Sequence, residues 1–136
     1  IGDPIAAPSM GRKQPQEDAI QDISYMAYMN WREWITALSQ FNIGVHLMRT
    51  HAAGTFAMNC AWHGIPSIGY EGLDTQELCH PLTTVSVGDL DQAIEIGKRL
   101  KSNEEFYKLC SETAQQRFQK HYTEAAWLKQ WRITHE

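Results

Sequence analysis

Residues 41–70 read FNIGVHLMRTHAAGTFAMNCAWHGIPSIGY, from Phe41 to Tyr70. Phe41 to Met48 is a nearly continuous apolar run of strand length, as expected of a strand covered on both faces in a parallel sheet. Arg49 to Ala53 forms a turn of mostly small residues, and a helix runs from about Gly54 to His63. Gly64 stands where a left-handed helix cap is needed, Pro66 follows as a stop, and Ile65 to Tyr70 is a second short strand. The stretch is therefore a strand–helix–strand unit. Its helix opens on a turn through which a ligand can approach the backbone.

The flanks extend the same alternation. Ile23 to Met29 predicts a strand. Asn30 with Glu33 predicts a capping box, opening a helix that places Trp31, Trp34, Ile35 and Leu38 along a core-facing stripe. Residues 71–82 are polar and irregular, a loop at the ligand-binding end of a strand, and Thr83 to Val87 predicts another strand. Three helices close the chain. The first is capped by Asp89 and carries Leu90, Ala93, Ile94, Gly97 and Leu100. The second is opened by a Ser102–Glu105 capping box, and the last is capped by Thr123. Residues 1–22, broken by Pro4, Pro8 and Pro15, read as an irregular lead-in to a domain spanning 23–136. About four strands alternating with helices predict an α/β fold. It is a small parallel Rossmann-like sheet with helices on both faces and a helical C-terminal segment.

Composition narrows the function. The 136 residues are 43% hydrophobic and 21% charged, enough for one domain with a sizeable core. A net charge of −4 without a Lys/Arg cluster argues against a nucleic-acid binder, because phosphate backbones need neutralising cations. No apolar run approaches the roughly 18 residues of a membrane span. Cys60, Cys79 and Cys110 are widely spaced and odd in number, which suits reduced thiols in a cytoplasmic protein.

The candidate site is the turn Arg49, Thr50, His51, Ala52, Ala53, Gly54 and Thr55. The first N–H groups of a helix lack internal acceptors and carry partial positive charge, so an anion, most naturally a phosphate, is favoured there. Arg49 and Thr50 add a charged and a neutral donor. The structural alternative is a tight turn that Gly54 permits, filled by water. His46, His51, Cys60, His63, Cys79 and His80 offer zinc-compatible ligand types, but no paired C-x-x-C or H-x-x-x-H arrangement, so no metal site is expected. There is no G-x-S-x-G elbow for a serine nucleophile.

The order of strand, HAAGTFAMN and CAWHGIPSIGY resembles the donor-binding region of GT-B glycosyltransferases, especially the group 1, family 4-like enzymes. The resemblance covers roughly Ile23 to Trp131 and corresponds to the second half of such a C-terminal domain. It implies a nucleotide-diphosphate sugar as donor substrate, no required cofactor, and a separate N-terminal domain that binds the acceptor. Two acidic residues of the family motif fall on His51 and Asn59, eight apart here; the motif's turn glycine falls on Gly54, and Gly64-Ile65-Pro66 matches. By this resemblance Asn59 keeps an acceptor for a ribose diol without charge-assisted strength, and His51 donates to a phosphate or sugar oxygen. The missing acceptor half implies a chain that is inactive or very weak in isolation. The alternative is an interaction or assembly module, self-associating or with Trp127 and Trp131 as contact surface.

Overall fold

The computed structural model of the protein describes residues 5–8, 23–26, 29–47 and 54–135. The chain falls into two compact units, residues 1–36 and 37–136. In the first, β1 (Ile5–Pro8) pairs in parallel with β2 (Ile23–Met26), in register from Ile5 opposite Ile23 to Pro8 opposite Met26. Four residues of the expected lead-in are thus a strand. The expected strand at 23–29 is found at its start, while residues 27 and 28 lie outside the described residues. Helix α1 (Trp31–Leu38) crosses the boundary between units. Asn30 caps it: Oδ1 accepts from the Glu33 N–H at 2.9 Å, and Nδ2 donates to the Glu33 carboxylate at 3.0 Å. The stripe expected on α1 holds only in part, with Leu38 buried and Trp31 66% exposed.

The second unit is α/β, with a three-stranded parallel sheet in the order β3 (Gly44–His46), β4 (Ser67–Tyr70), β5 (Thr84–Val85). It is a small Rossmann-like fold. Helix α2 (Thr55–Trp62) links β3 to β4. Between β4 and β5 lie helix α3 (Asp74–Cys79) and a 3-10 turn at Pro81–Thr83, where the sequence predicts an irregular loop. Six residues are too few for an apolar helical repeat, so periodicity could not reveal α3. The same turn takes up Thr83 and shortens the strand expected at 83–87.

Alternation along β4 divides the faces. Ile68 and Tyr70 enter a core with Val85 and with Ala93, Ile96 and Leu100 of α4 (Leu90–Ser102). Ser67 and Gly69 turn the other way, where Gln76 of α3 meets both. The buried stripe of α4 is Ala93, Ile96 and Leu100, one step round from the expected face, and Leu90 and Ile94 are exposed. The cap on α4 is as expected, with Asp89 Oδ1 accepting from the Gln92 N–H at 3.0 Å. That on α5 (Glu104–His121) is not. Asn103 Oδ1 accepts from the Phe106 N–H at 3.0 Å, and Ser102 Oγ donates back to the Lys98 carbonyl at 2.8 Å. Both residue types cap helices well, and the unbroken run of α4 through Ser102 leaves Asn103 as the first extended residue. Thr123 caps α6 (Glu124–His135), Oγ1 accepting from the Ala126 N–H at 3.2 Å.

Helix α5 runs across the amino ends of the strands. Phe106 and Cys110 join the Ile68 core, and Ala114 packs with Ala61 of α2 and Cys79 of α3. Tyr107 Oη donates to the Asn42 carbonyl, just before β3, at 2.7 Å. Ser111 Oγ donates to the Gly64 carbonyl, just before β4, at 2.6 Å. Gly64 ends α2 as predicted. With φ at +70° it lets its own N–H reach the Ala61 carbonyl (3.0 Å) and the Ile65 N–H reach the Cys60 carbonyl (2.8 Å), a Schellman motif. A methyl group there would be strained by the backbone and crowded by Gln115 and Ser111. Gly64→Ala is expected to lower stability by about 1–3 kcal/mol, read from the urea midpoint at unchanged slope.

Candidate functional site

The carboxyl edge of the sheet is formed by the segments that follow β3, β4 and β5. Arg49, Thr50, His51, Ala52 and Ala53 of the predicted site lie outside the described residues. Gly54, Thr55 and Asn59 are described, and they share one helix. Gly54 is the N-cap of α2 at φ 74° and ψ 17°, a left-handed conformation that suits glycine. Its buried carbonyl accepts twice, from Thr75 Oγ1 at 2.8 Å and from the Met58 N–H at 3.3 Å. Among the described residues no side chain caps this helix, and its first turn contains no acidic residue.

Thr55 and Asn59 are four residues apart and so lie on one face, about 6 Å apart along the axis. Ala57, Cys60 and Ala61 form the buried face. Thr55 is exposed and Asn59 half-buried. The geometry thus brings Gly54, Thr55 and Asn59 into one line running from the helix opening.

Sequence reasoning did not single out Thr75, Gln76 and Thr83, and weighed His80 only as a metal ligand. All four are buried. The His80 ring bridges two backbones. Its Nδ1 accepts from the Ser67 N–H at 3.3 Å, which leaves the proton on Nε2, which donates to the Ala57 carbonyl at 2.8 Å. The Ser67 carbonyl accepts from Gln76 Nε2 at 2.8 Å and from Thr83 Oγ1 at 2.5 Å. Thr84 Oγ1 donates to the His80 carbonyl at 2.7 Å. Ser67 Oγ is buried without a hydrogen-bond partner. The available signal was weak: a run of Thr, Gln, His and Thr between two strands reads as solvated loop until burial is known.

This wiring decides against His80 as a metal ligand, since both ring nitrogens are committed to the backbone. Among the described residues no group of three or more His, Cys, Asp or Glu is placed to hold a metal ion. The thiols suit a core rather than chemistry. Burial pushes Cys60 up to about 12 and Cys79 up to about 11, the latter partly offset by Arg117.

No protein-family model matches the chain, and no curated protein matches it either. Among the described residues no helix is long and apolar enough to cross a membrane.

Burial holds His80 down to about 4 from an ordinary 6.5, against the smaller opposing pull of the Ala57 carbonyl. The folded pKa is the lower one, so the unfolded chain takes up the proton first. The contribution of the neutral ring is full above about pH 6.5 and is lost as pH falls toward 4. Between pH 7 and pH 5 the loss is about 2 kcal/mol. Half-buried His46, also lowered by burial, acts in the same direction. Urea unfolding across this range is expected to show the loss in the wild type and a much flatter profile in His80→Gln.

Proposed function

We propose that this chain is the donor-nucleotide-binding part of a GT-B glycosyltransferase, holding a nucleotide-diphosphate sugar at the carboxyl edge of the sheet. The observation that supports the reading is the opening of α2: a left-handed, buried Gly54 at that edge, no capping side chain among the described residues, and no carboxylate in the first turn. The opposite edge is occupied by α5. In open α/β sheets the edge at the carboxyl ends is the usual one for a ligand.

On this reading the diphosphate sits against the first N–H groups of α2, where the helix dipole favours it. Arg49, Thr50 and His51 are residue types that can add further donors, and Ala52 and Ala53 are small enough to let a ligand approach. Asn59 accepts from the ribose hydroxyls. Transfer of the sugar requires an acceptor domain to close the cleft, exclude water and complete the stabilisation of the leaving diphosphate. The chain alone is therefore inactive or very weak, and binding is the property to measure.

Titration calorimetry against UDP, GDP and their sugars is expected to give a saturable heat with at least one of them. Absence of heat with all of them at millimolar ligand removes the reading. Asn59→Ala is expected to weaken the nucleoside diphosphate about three- to tenfold and to leave inorganic diphosphate unchanged, because only the former carries a diol.

A second reading, an assembly module derived from such a domain, is favoured by a different observation. Trp127 is 60% exposed and Trp131 48% exposed, one turn apart on α6, with Leu128 beside them. Sedimentation velocity is expected, on that reading, to show a concentration-dependent dimer that Trp127→Ala with Trp131→Ala abolishes. A monomer at all concentrations counts against self-association.

A further inference from the structure

Ser67 Oγ is a fully buried hydroxyl with no hydrogen-bond partner among the described residues. Buried polar groups are rarely left so, and this one belongs to a residue whose backbone meets a buried histidine. The Ser67 N–H donates to Nδ1 of His80 at 3.3 Å, a long bond, while Nε2 of the same ring donates to the Ala57 carbonyl at 2.8 Å. The shorter end of the bridge is on α2 and the longer end on β4. Taking up a proton turns Nδ1 from an acceptor into a donor. The Ser67 carbonyl has no room for that proton, because Gln76 Nε2 and Thr83 Oγ1 already use its two lone pairs. The Ser67 hydroxyl has its lone pairs unused, and only three bonds separate it from the N–H that Nδ1 already meets.

We propose that His80 and Ser67 form a two-position latch between α2 and β4. The neutral ring holds the Ser67 N–H; the protonated ring, pivoting on its Ala57 bond, points its Nδ1 proton at Ser67 Oγ. The exchange leaves one buried group without a partner in either state, the hydroxyl before and the N–H after. The tie between helix and strand therefore survives the change of charge, and only the first peptide of β4 is released. The titratable groups of the neighbouring elements do not share this role. Cys60 of α2, Cys79 of α3 and Cys110 of α5 are buried thiols pushed up by burial. Arg117 of α5 acts on Cys79, and Asp74 of α3 acts on Tyr122. Burial and the Ala57 carbonyl govern the His80 ring itself. The latch answers to one proton, taken from solvent and kept on the ring.

The test follows the His80 ring and the position-67 amide by NMR from pH 7 to pH 3 in the full chain, in wild type, Ser67→Ala and Ser67→Cys. In wild type the His80 ring is expected to titrate while the chain is folded. The position-67 amide is expected to shift and to exchange faster with the same midpoint, while the Nε2 proton stays protected. Ser67→Ala removes a hydroxyl that the neutral state does not use, so its urea midpoint at pH 7 is expected to match wild type. Its His80 midpoint is expected to fall by about one pH unit, a tenfold loss of proton affinity, as for a lost hydrogen bond to a charged donor. A lower folded pKa means more stability lost in acid, so its acid unfolding is expected at higher pH. Ser67→Cys, with a weaker acceptor, is expected to follow alanine, and it decides the matter if alanine does not fold. A hydroxyl that merely fills space, or one held by a buried water, leaves the His80 midpoint unchanged in both variants, which overturns the proposal. Wild type that unfolds as soon as the ring ionises, or that loses the Nε2 proton at the same midpoint, overturns it as well.

Discussion

The second unit is organised around one unsatisfied demand of its central strand. In a parallel ladder, alternate residues turn their N–H and C=O groups to opposite neighbours. The Gly44 N–H donates to the Pro66 carbonyl, and the Glu71 N–H donates to the Val85 carbonyl, so the Ser67 peptide groups face the β5 side. Strand β5 begins opposite Gly69 and does not reach back to Ser67. Two buried backbone groups would be left unpaired, each costing about 1–3 kcal/mol. Side chains close the gap: His80 accepts from the Ser67 N–H, while Gln76 and Thr83 donate to its carbonyl. These side chains complete the ladder where the strand stops.

That substitution explains why the segment between β4 and β5 is ordered at all. A solvated loop could not deliver three side chains to one peptide. The short helix α3 supplies Gln76, and the turn after it brings His80 and Thr83 round to the same strand. His80 then links the segment to α2 through Ala57, while Thr75 links it to Gly54 at the opening of the same helix. Helix α2 is thus fixed at its opening and at its middle by one neighbour. The cost of this arrangement is a buried imidazole that has to stay neutral. Protonation would place an N–H against the Ser67 N–H, so the link holds only while the ring keeps its lone pair there.

The sequence was legible where a single residue does a local job. Asn30, Asp89, Thr123 and Gly64 announce helix ends because capping needs only the residue and its next three or four neighbours. The apolar run before the central turn and the one after Gly64 announced two strands for the same local reason. The extents were less legible. The run at 41–48 gives a strand of three residues, because ladder length is set by the partner strand rather than by hydrophobicity. Helix α3 and the Thr75, Gln76 and His80 contacts were not legible. Their meaning depends on a carbonyl 21 residues away for Thr75 and 23 for His80, and polar residues do not declare that they are buried. At the candidate site, Gly54 was found from its turn, and the hydroxyl that holds it was not.

The two positions where the resembling enzymes have acids give the proposed site a distinct electrostatic character. With His51 and Asn59 there, neither motif position supplies a carboxylate to the edge of α2. Acids do occur in the neighbouring segments, but two of them are committed to backbone N–H groups: Glu77 to Gly72 and Asp89 to Gln92. On the proposed reading, the absence of a carboxylate at these two positions lowers the local repulsion that a diphosphate at the helix opening would meet. On the same reading a ribose would meet an amide oxygen in place of a carboxylate, and a neutral acceptor makes a weaker hydrogen bond than a charged one. Both changes act in one direction. On the proposed reading they move recognition away from the sugar ring of the nucleotide and toward its phosphates.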